Sequence, residues 1–164
     1  EARNYIIMLL LYNTGMRKSE LIGLTDESVD YAQKRIAVVG KGNKQRIIPV
    51  TNDLLTKIRK YIQIRNQSFE CRESFLLLTD KGKPMYPKLV YNVVNRVLVS
   101  MATSTKKSPH ILRHTFATHM ANNGAELNTI KELLGHASLA ATQVYTHNSI
   151  EKLKDVYSRS HPKA

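Results

Sequence analysis

Acidic residues are scarce in this chain and cysteine is almost absent. Thirteen Asp and Glu face 25 Lys and Arg, a formal net charge of +12 over 164 residues. No acidic side chain lies between Asp80 and Glu126, so that stretch alone cannot assemble a carboxylate-bound metal centre. Cys71 is the single cysteine, which excludes an intrachain disulfide and suits a reducing, cytoplasmic setting. Long hydrophobic runs are also lacking. The longest, Tyr5 to Tyr12, falls far short of the ~20 residues that cross a bilayer. There is no signal-peptide pattern, internal repeat, low-complexity tract or second domain boundary. The chain starts at Glu1 without Met, from which we expect further sequence upstream.

What is present is a foldable, strongly basic domain. Hydrophobic residues make up 42% of the chain, enough for a single core and too many for disorder. The basic surplus points to a polyanionic partner, nucleic acid ahead of an anionic membrane. It is also clustered: Lys34, Arg35, Lys41, Lys44 and Arg46 lie in a stretch without an acidic residue.

Periodicity predicts a mainly α, α+β fold with one small antiparallel sheet near the N-terminus. Asn4 to Tyr12 is apolar all round, as in a helix buried at a domain's centre, and Gly15 stops it. A short helix follows in MRKSELIGL. RIAVVG and RIIPV are β-branched runs joined by KGNKQ, a hairpin with Gly42 and Asn43 suited to positive φ and Pro49 at a strand end. NDLLTKIRKYIQIRN and PKLVYNVVNRVLVSM read as amphipathic helices, with a short strand and turn between them in SFLLLTDKGKPMY. Further helices are expected over Pro109–Asn122, Glu126–Leu134, Ser138–Tyr145 and Ile150–Ser160, with Leu127, Ile130, Leu133 and Leu134 as one core stripe. Gly124 and Gly135 read as helix stops.

Two familiar sites can be set aside. His110 and His114 share a helix face as zinc ligands do, but Ile111 stands where a metalloprotease has Glu. VVGKGNK lacks the first Gly and the Ser/Thr of a P-loop, and it leads into a strand where a P-loop leads into a helix. The remaining unusual polar residues have one chemistry in common. Arg17 and Arg113 can fork onto the oxygens of one phosphodiester. His110 and His136 can bond the same oxygens or carry a proton, Lys41 can protonate a leaving alkoxide, and Tyr145 can attack phosphorus. Such a cationic cage stabilises the charge of a pentavalent phosphorane and requires no cofactor or metal.

TGMRKSELIGL, GKGNKQRIIPV, HILRHTFATHM and LLGHASLAATQVYTH, in that order and spacing, resemble the motifs of the tyrosine recombinases of the phage integrase family, most closely the bacterial Xer type. The resemblance runs from about Asn4 to His161 and Pro162. It implies that residues 1–164 are a catalytic domain, and that the family's N-terminal helical DNA-binding domain would precede Glu1. It further implies that Arg17 and Arg113 clamp the phosphate, Lys41 is the general acid on the 5′ oxygen, and His110 is the general base or proton shuttle. His136 becomes a second phosphate hydrogen-bonder, Tyr145 the nucleophile of a 3′-phosphotyrosyl bond, and Glu20 a brace for Arg17. Lys44 and Arg46 are expected on backbone phosphates.

Other tyrosines and histidines read as structural. Tyr5 and Tyr12 belong to the apolar first helix, Tyr61 and Tyr91 to amphipathic helices, and Tyr157 to the core spacing of Ile150 and Leu153. His114 and His119 read as braces, and His147 as exposed or at DNA. The expected activity is site-specific cutting and rejoining of double-stranded DNA at the nucleoid, in a tetrameric synaptic complex. The last helix packs on its own domain or docks into a neighbour. The alternatives are a catalytically silent DNA-binding module and a type IB topoisomerase-like nicking and closing activity.

Overall fold

The computed structural model describes residues 1–69, 74–101, 108–135 and 147–162. Within these, helices α1 (Ala2–Thr14) and α2 (Lys18–Ile22) precede a three-stranded antiparallel sheet of β1 (Val29–Asp30), β2 (Arg35–Val39) and β3 (Gln45–Pro49). Helices α3 (Asn52–Ser68), α4 (Pro87–Met101), α5 (Pro109–Asn122), α6 (Leu127–Leu134) and α7 (His147–Ser160) complete the chain. The helix expected over Ser138–Tyr145 lies outside the described residues.

Helix α1 is the hub. Ile6, Ile7, Leu10 and Leu11 are buried, and α3, α4 and α5 pack around it. It is not apolar on every side, because Tyr5 is 54% exposed and so is not core. One apolar cluster gathers α1, α2, the sheet, α3 and α4. A second joins Phe116 and Met120 of α5 to Ile130, Leu133 and Leu134 of α6 and Leu153 and Tyr157 of α7. Leu127 does not belong to that stripe and is 65% exposed. It opens the first turn of α6, where the chain has only just left the loop at Ala125.

The expected hairpin forms, with Ile36 opposite Ile48 and Val38 opposite Arg46. Gly42 (φ 73°) and Asn43 (φ 57°) both take positive φ at its tip. Sequence periodicity missed β1, whose two residues pair with Ile36 and Arg35. The strand expected in SFLLLTDKGKPMY is reduced to two isolated bridges, Thr25 to Phe75 and Leu78 to Pro84. Leu76, Leu77 and Leu78 are all buried, so that segment packs on both sides outside the three-stranded sheet.

Helix α7 is fastened by an aromatic box. The ring of His161 stacks on Tyr157 at 4.8 Å between centroids, with Phe116 and Tyr12 at 5.5 and 5.7 Å. The Tyr157 hydroxyl donates to the Asn13 carbonyl at 2.9 Å. Burial, followed by Tyr12, pushes this phenol well above its usual range, so Tyr157 stays neutral and serves packing.

Candidate active site

The site forms where the C-termini of α1 and α6 meet. Gly15 ends α1 at φ 63°, and a Cβ there would lie 2.7 Å from both Leu134 Cδ2 and Phe116 Cδ1. Only glycine allows this turn and this approach together. Gly135 ends α6 in the same left-handed conformation at φ 65°. Two carbonyls left unpaired by their own helices converge on one cation. Arg113 Nη1 donates to the Gly15 carbonyl at 2.6 Å, and its Nη2 donates to the Leu134 carbonyl at 2.7 Å. Each carbonyl carries the negative end of a helix dipole, so the guanidinium is fixed by charge as well as shape. Burial, then the nearby charges of Arg17 and Arg46, lower its pKa to about 10 against the pull of Glu20. Arg113 is still cationic at neutral pH, in a cluster with an excess of positive charge.

Arg17 stands between α1 and α2. Its backbone N–H donates to Glu20 Oε2 at 2.6 Å and its Nη1 to Glu20 Oε1 at 3.1 Å. Its Nη2 reaches the Gly135 carbonyl at 3.4 Å, and 38% of the side chain is exposed. Glu20 itself is fully buried. Burial works to raise its pKa, but the hydrogen bonds and charges of Arg46 and Arg17 together hold it below the usual carboxylate value.

The expectation for Arg46 is overturned. In place of a backbone phosphate it meets Glu20, with Nη1 on Oε1 and Nη2 on Oε2 at 3.0 Å, while Nε donates to the Leu133 carbonyl at 2.8 Å. Its side chain is 5% exposed. The signal was in the alternation of β3: Arg46 is in phase with Ile48 and opposite Val38, both core residues. Its aliphatic stem fills the space beside Gly135, where a Cβ would come within 2.7 Å of Arg46 Cδ.

Lys41 and Lys44 are exposed at the hairpin tip. The turn end of the hairpin touches the cluster, since a Cβ on Gly40 would lie 3.3 Å from Glu20 Oε1. His110 is exposed one turn before Arg113 on α5. Ser108 occupies the N-cap position and Pro109 the first turn, as expected, without a side-chain capping bond from the serine. His114 is exposed and does not brace the core; His119 does, with Nδ1 3.4 Å from the Tyr12 hydroxyl. His136 and Tyr145 lie outside the described residues, one step and ten steps past Gly135 in sequence. Among the described residues, no three His, Cys, Asp or Glu side chains gather to hold a metal ion, and no helix is long and apolar enough to cross a membrane.

The sequence profile of the phage integrase family matches residues 1–152. The chain belongs to the phage integrase family. Among its relatives are the tyrosine recombinases XerC of Chlorobaculum parvum and Staphylococcus carnosus, each 41% identical over 99% of this chain. The chain spans 50% and 55% of their lengths, about half of each. The crystal structure of XerA recombinase superposes with a TM-score of 0.77 at 31% identity, covering 100% of this chain and 60% of that one. The crystal structure of XerH site-specific recombinase bound to a palindromic difH substrate, a post-cleavage complex, gives a TM-score of 0.73 at 27% identity, covering 96% of this chain and 45% of that one.

Proposed function

We propose that this chain is the catalytic half of a site-specific DNA recombinase that cuts and rejoins strands through a 3′-phosphotyrosyl intermediate. The observation that carries the reading is the pair of arginines, Arg17 and Arg113, held on two converging helix ends with Arg17 still partly open to solvent. In this reading the two guanidinium groups clamp the non-bridging oxygens of one phosphodiester. The Tyr145 hydroxyl attacks phosphorus and its proton passes to His110. The P–O5′ bond breaks, and Lys41 gives a proton to the departing 5′ oxygen. His136 adds a hydrogen bond to the phosphoryl oxygens, and Glu20 braces Arg17. Attack by a 5′ hydroxyl of a partner strand reverses these steps, so the phosphodiester energy is kept and no cofactor is consumed.

The partner is double-stranded DNA, bound as a tetramer of protomers for strand exchange, with the nucleoid as the working place. The Xer relatives, one of them seen on cleaved DNA, support both the substrate class and the exchange reaction over a silent binding module or a topoisomerase. The test incubates the full-length protein with a library of nicked suicide duplexes tiled from the host genome. A denaturation-resistant protein–DNA adduct is expected, and Tyr145→Phe should abolish it while DNA binding persists. An adduct that survives in the Phe variant removes Tyr145 from the role.

A further inference from the structure

Arg46 is a buried cation that none of the steps above employs. A buried ion pair is costly to assemble, and β3 could fill this inward position with valine or isoleucine, as it does at Ile48. The three contacts of Arg46 explain what it does there. Two go to the Glu20 carboxylate and the third to the Leu133 carbonyl, at the last turn of α6 before Gly135. Glu20 is shared with Arg17. Without Arg46, this buried carboxylate would have Arg17 as its remaining cation in direct contact and would draw that guanidinium inward.

The charge count gives this arrangement a purpose. Arg17, Arg46 and Arg113 carry three positive charges around the single negative charge of Glu20, leaving two positive charges. A phosphodiester carries one negative charge, and the pentavalent phosphorane formed from it carries two. The surplus therefore matches the transition state better than the ground state, which is the condition for catalysis. Were Arg46 apolar, the same cluster would hold a surplus of one and would match the ground state.

We propose that Arg46 is a positioning residue which neutralises Glu20, so that Arg17 and Arg113 both present undiminished charge to the scissile phosphate. The inference rests on the phosphodiester reaction proposed above.

The test uses the full-length protein and the one genomic duplex that gives the strongest wild-type adduct, prepared also with a methylphosphonate at the scissile position. If no duplex yields an adduct with the wild type, the proposed reaction itself fails, and the comparison of variants does not begin. Given an adduct, Arg46→Met should slow its formation on the order of 10²-fold on the natural phosphate, with DNA affinity retained. On the neutral methylphosphonate, whose phosphorane carries one negative charge where the natural one carries two, the deficit should shrink to within about threefold. The double variant Glu20→Gln with Arg46→Met restores the surplus of two charges, and it should recover most of the lost rate. A role in folding alone would leave the deficit equal on both duplexes and would give no recovery in the double variant. Either result overturns the proposal, as does a wild-type rate for Arg46→Met. Should Arg46→Met fail to fold, the double variant carries the test. It must form the adduct on the natural duplex within about tenfold of the wild-type rate, and a larger loss overturns the proposal.

Discussion

At the scale of single residues, the site depends on backbone geometry as much as on side-chain chemistry. Gly15 combines a left-handed turn with contact against Phe116 and Leu134, and its carbonyl holds Arg113. Gly15→Ala adds a methyl group to a filled space at an unfavourable φ. Left-handed strain of ~1–2 kcal/mol and overpacking of ~1–3 kcal/mol act together. A loss of about 2–5 kcal/mol in unfolding free energy is expected by denaturant titration. An unchanged midpoint would show that the α1–α5–α6 junction yields easily. Arg113 gives the complementary lesson. Its two outer nitrogens are both occupied by helix-end carbonyls, so removing the side chain leaves two buried acceptors unpaired in addition to removing a positive charge from the cluster.

At the scale of elements, the β2–β3 hairpin joins a buried anchor to an exposed tip. Arg46 is locked beside the turn, paired with Val38, and Lys41 stands exposed at the tip itself. If Lys41 is the general acid, Lys41→Ala should lose most strand cleavage, and sulfur in place of the 5′ bridging oxygen should restore it, because a thiolate leaves without protonation. Cleavage rates on matched oxygen and sulfur duplexes decide this, and failure of the rescue moves the acid elsewhere. The hairpin also marks how far the sequence could be read. Its strands, its tip glycine and the flanking helices were legible, because period and turn chemistry agree there. Arg46 was misjudged by residue type: arginine is usually solvated, and the phase it shared with Ile48 was the better guide. Tyr5 and Leu127 erred the other way, since a spacing rule does not say how far a core extends along a helix. The two-residue β1 is too short to have a period, and the buried Leu76–Leu78 run imitates a strand because it is covered on both sides.

At the scale of the whole molecule, two apolar clusters meet at the cationic site. Leu112 belongs to the first cluster and Phe116 to the second, and Arg113 lies between them on α5. The site is therefore as rigid as the joint between the two halves of the core. The net charge of +12 acts over a longer range and, on the proposed reading, would draw DNA to the surface without choosing a sequence. Exposed and buried cations should separate cleanly in the salt dependence of binding. Lys44→Ala should reduce the slope of log affinity against log salt by about 0.9, the release of one phosphate counterion. Arg46→Met should leave the slope unaltered, because a buried guanidinium displaces no counterion. Fluorescence anisotropy across a salt series distinguishes the two, and a change of slope with Arg46→Met would place that side chain at the DNA.

The burial of Arg46 also sets the reading frame of the hairpin. Slipping β3 by one residue would turn Gln45 or Ile47 toward Glu20 and leave a carboxylate in the core without its cation. Apolar alternation alone would tolerate more, since Ile47 and Ile48 are similar enough to exchange. An ion pair is not forgiving in that way. The number of residues from Glu20's partner to the hairpin tip is thereby fixed, and with it the reach of Lys41. Insertions at the tip lengthen the arm, whereas insertions inside β3 set the wrong residue against the charge.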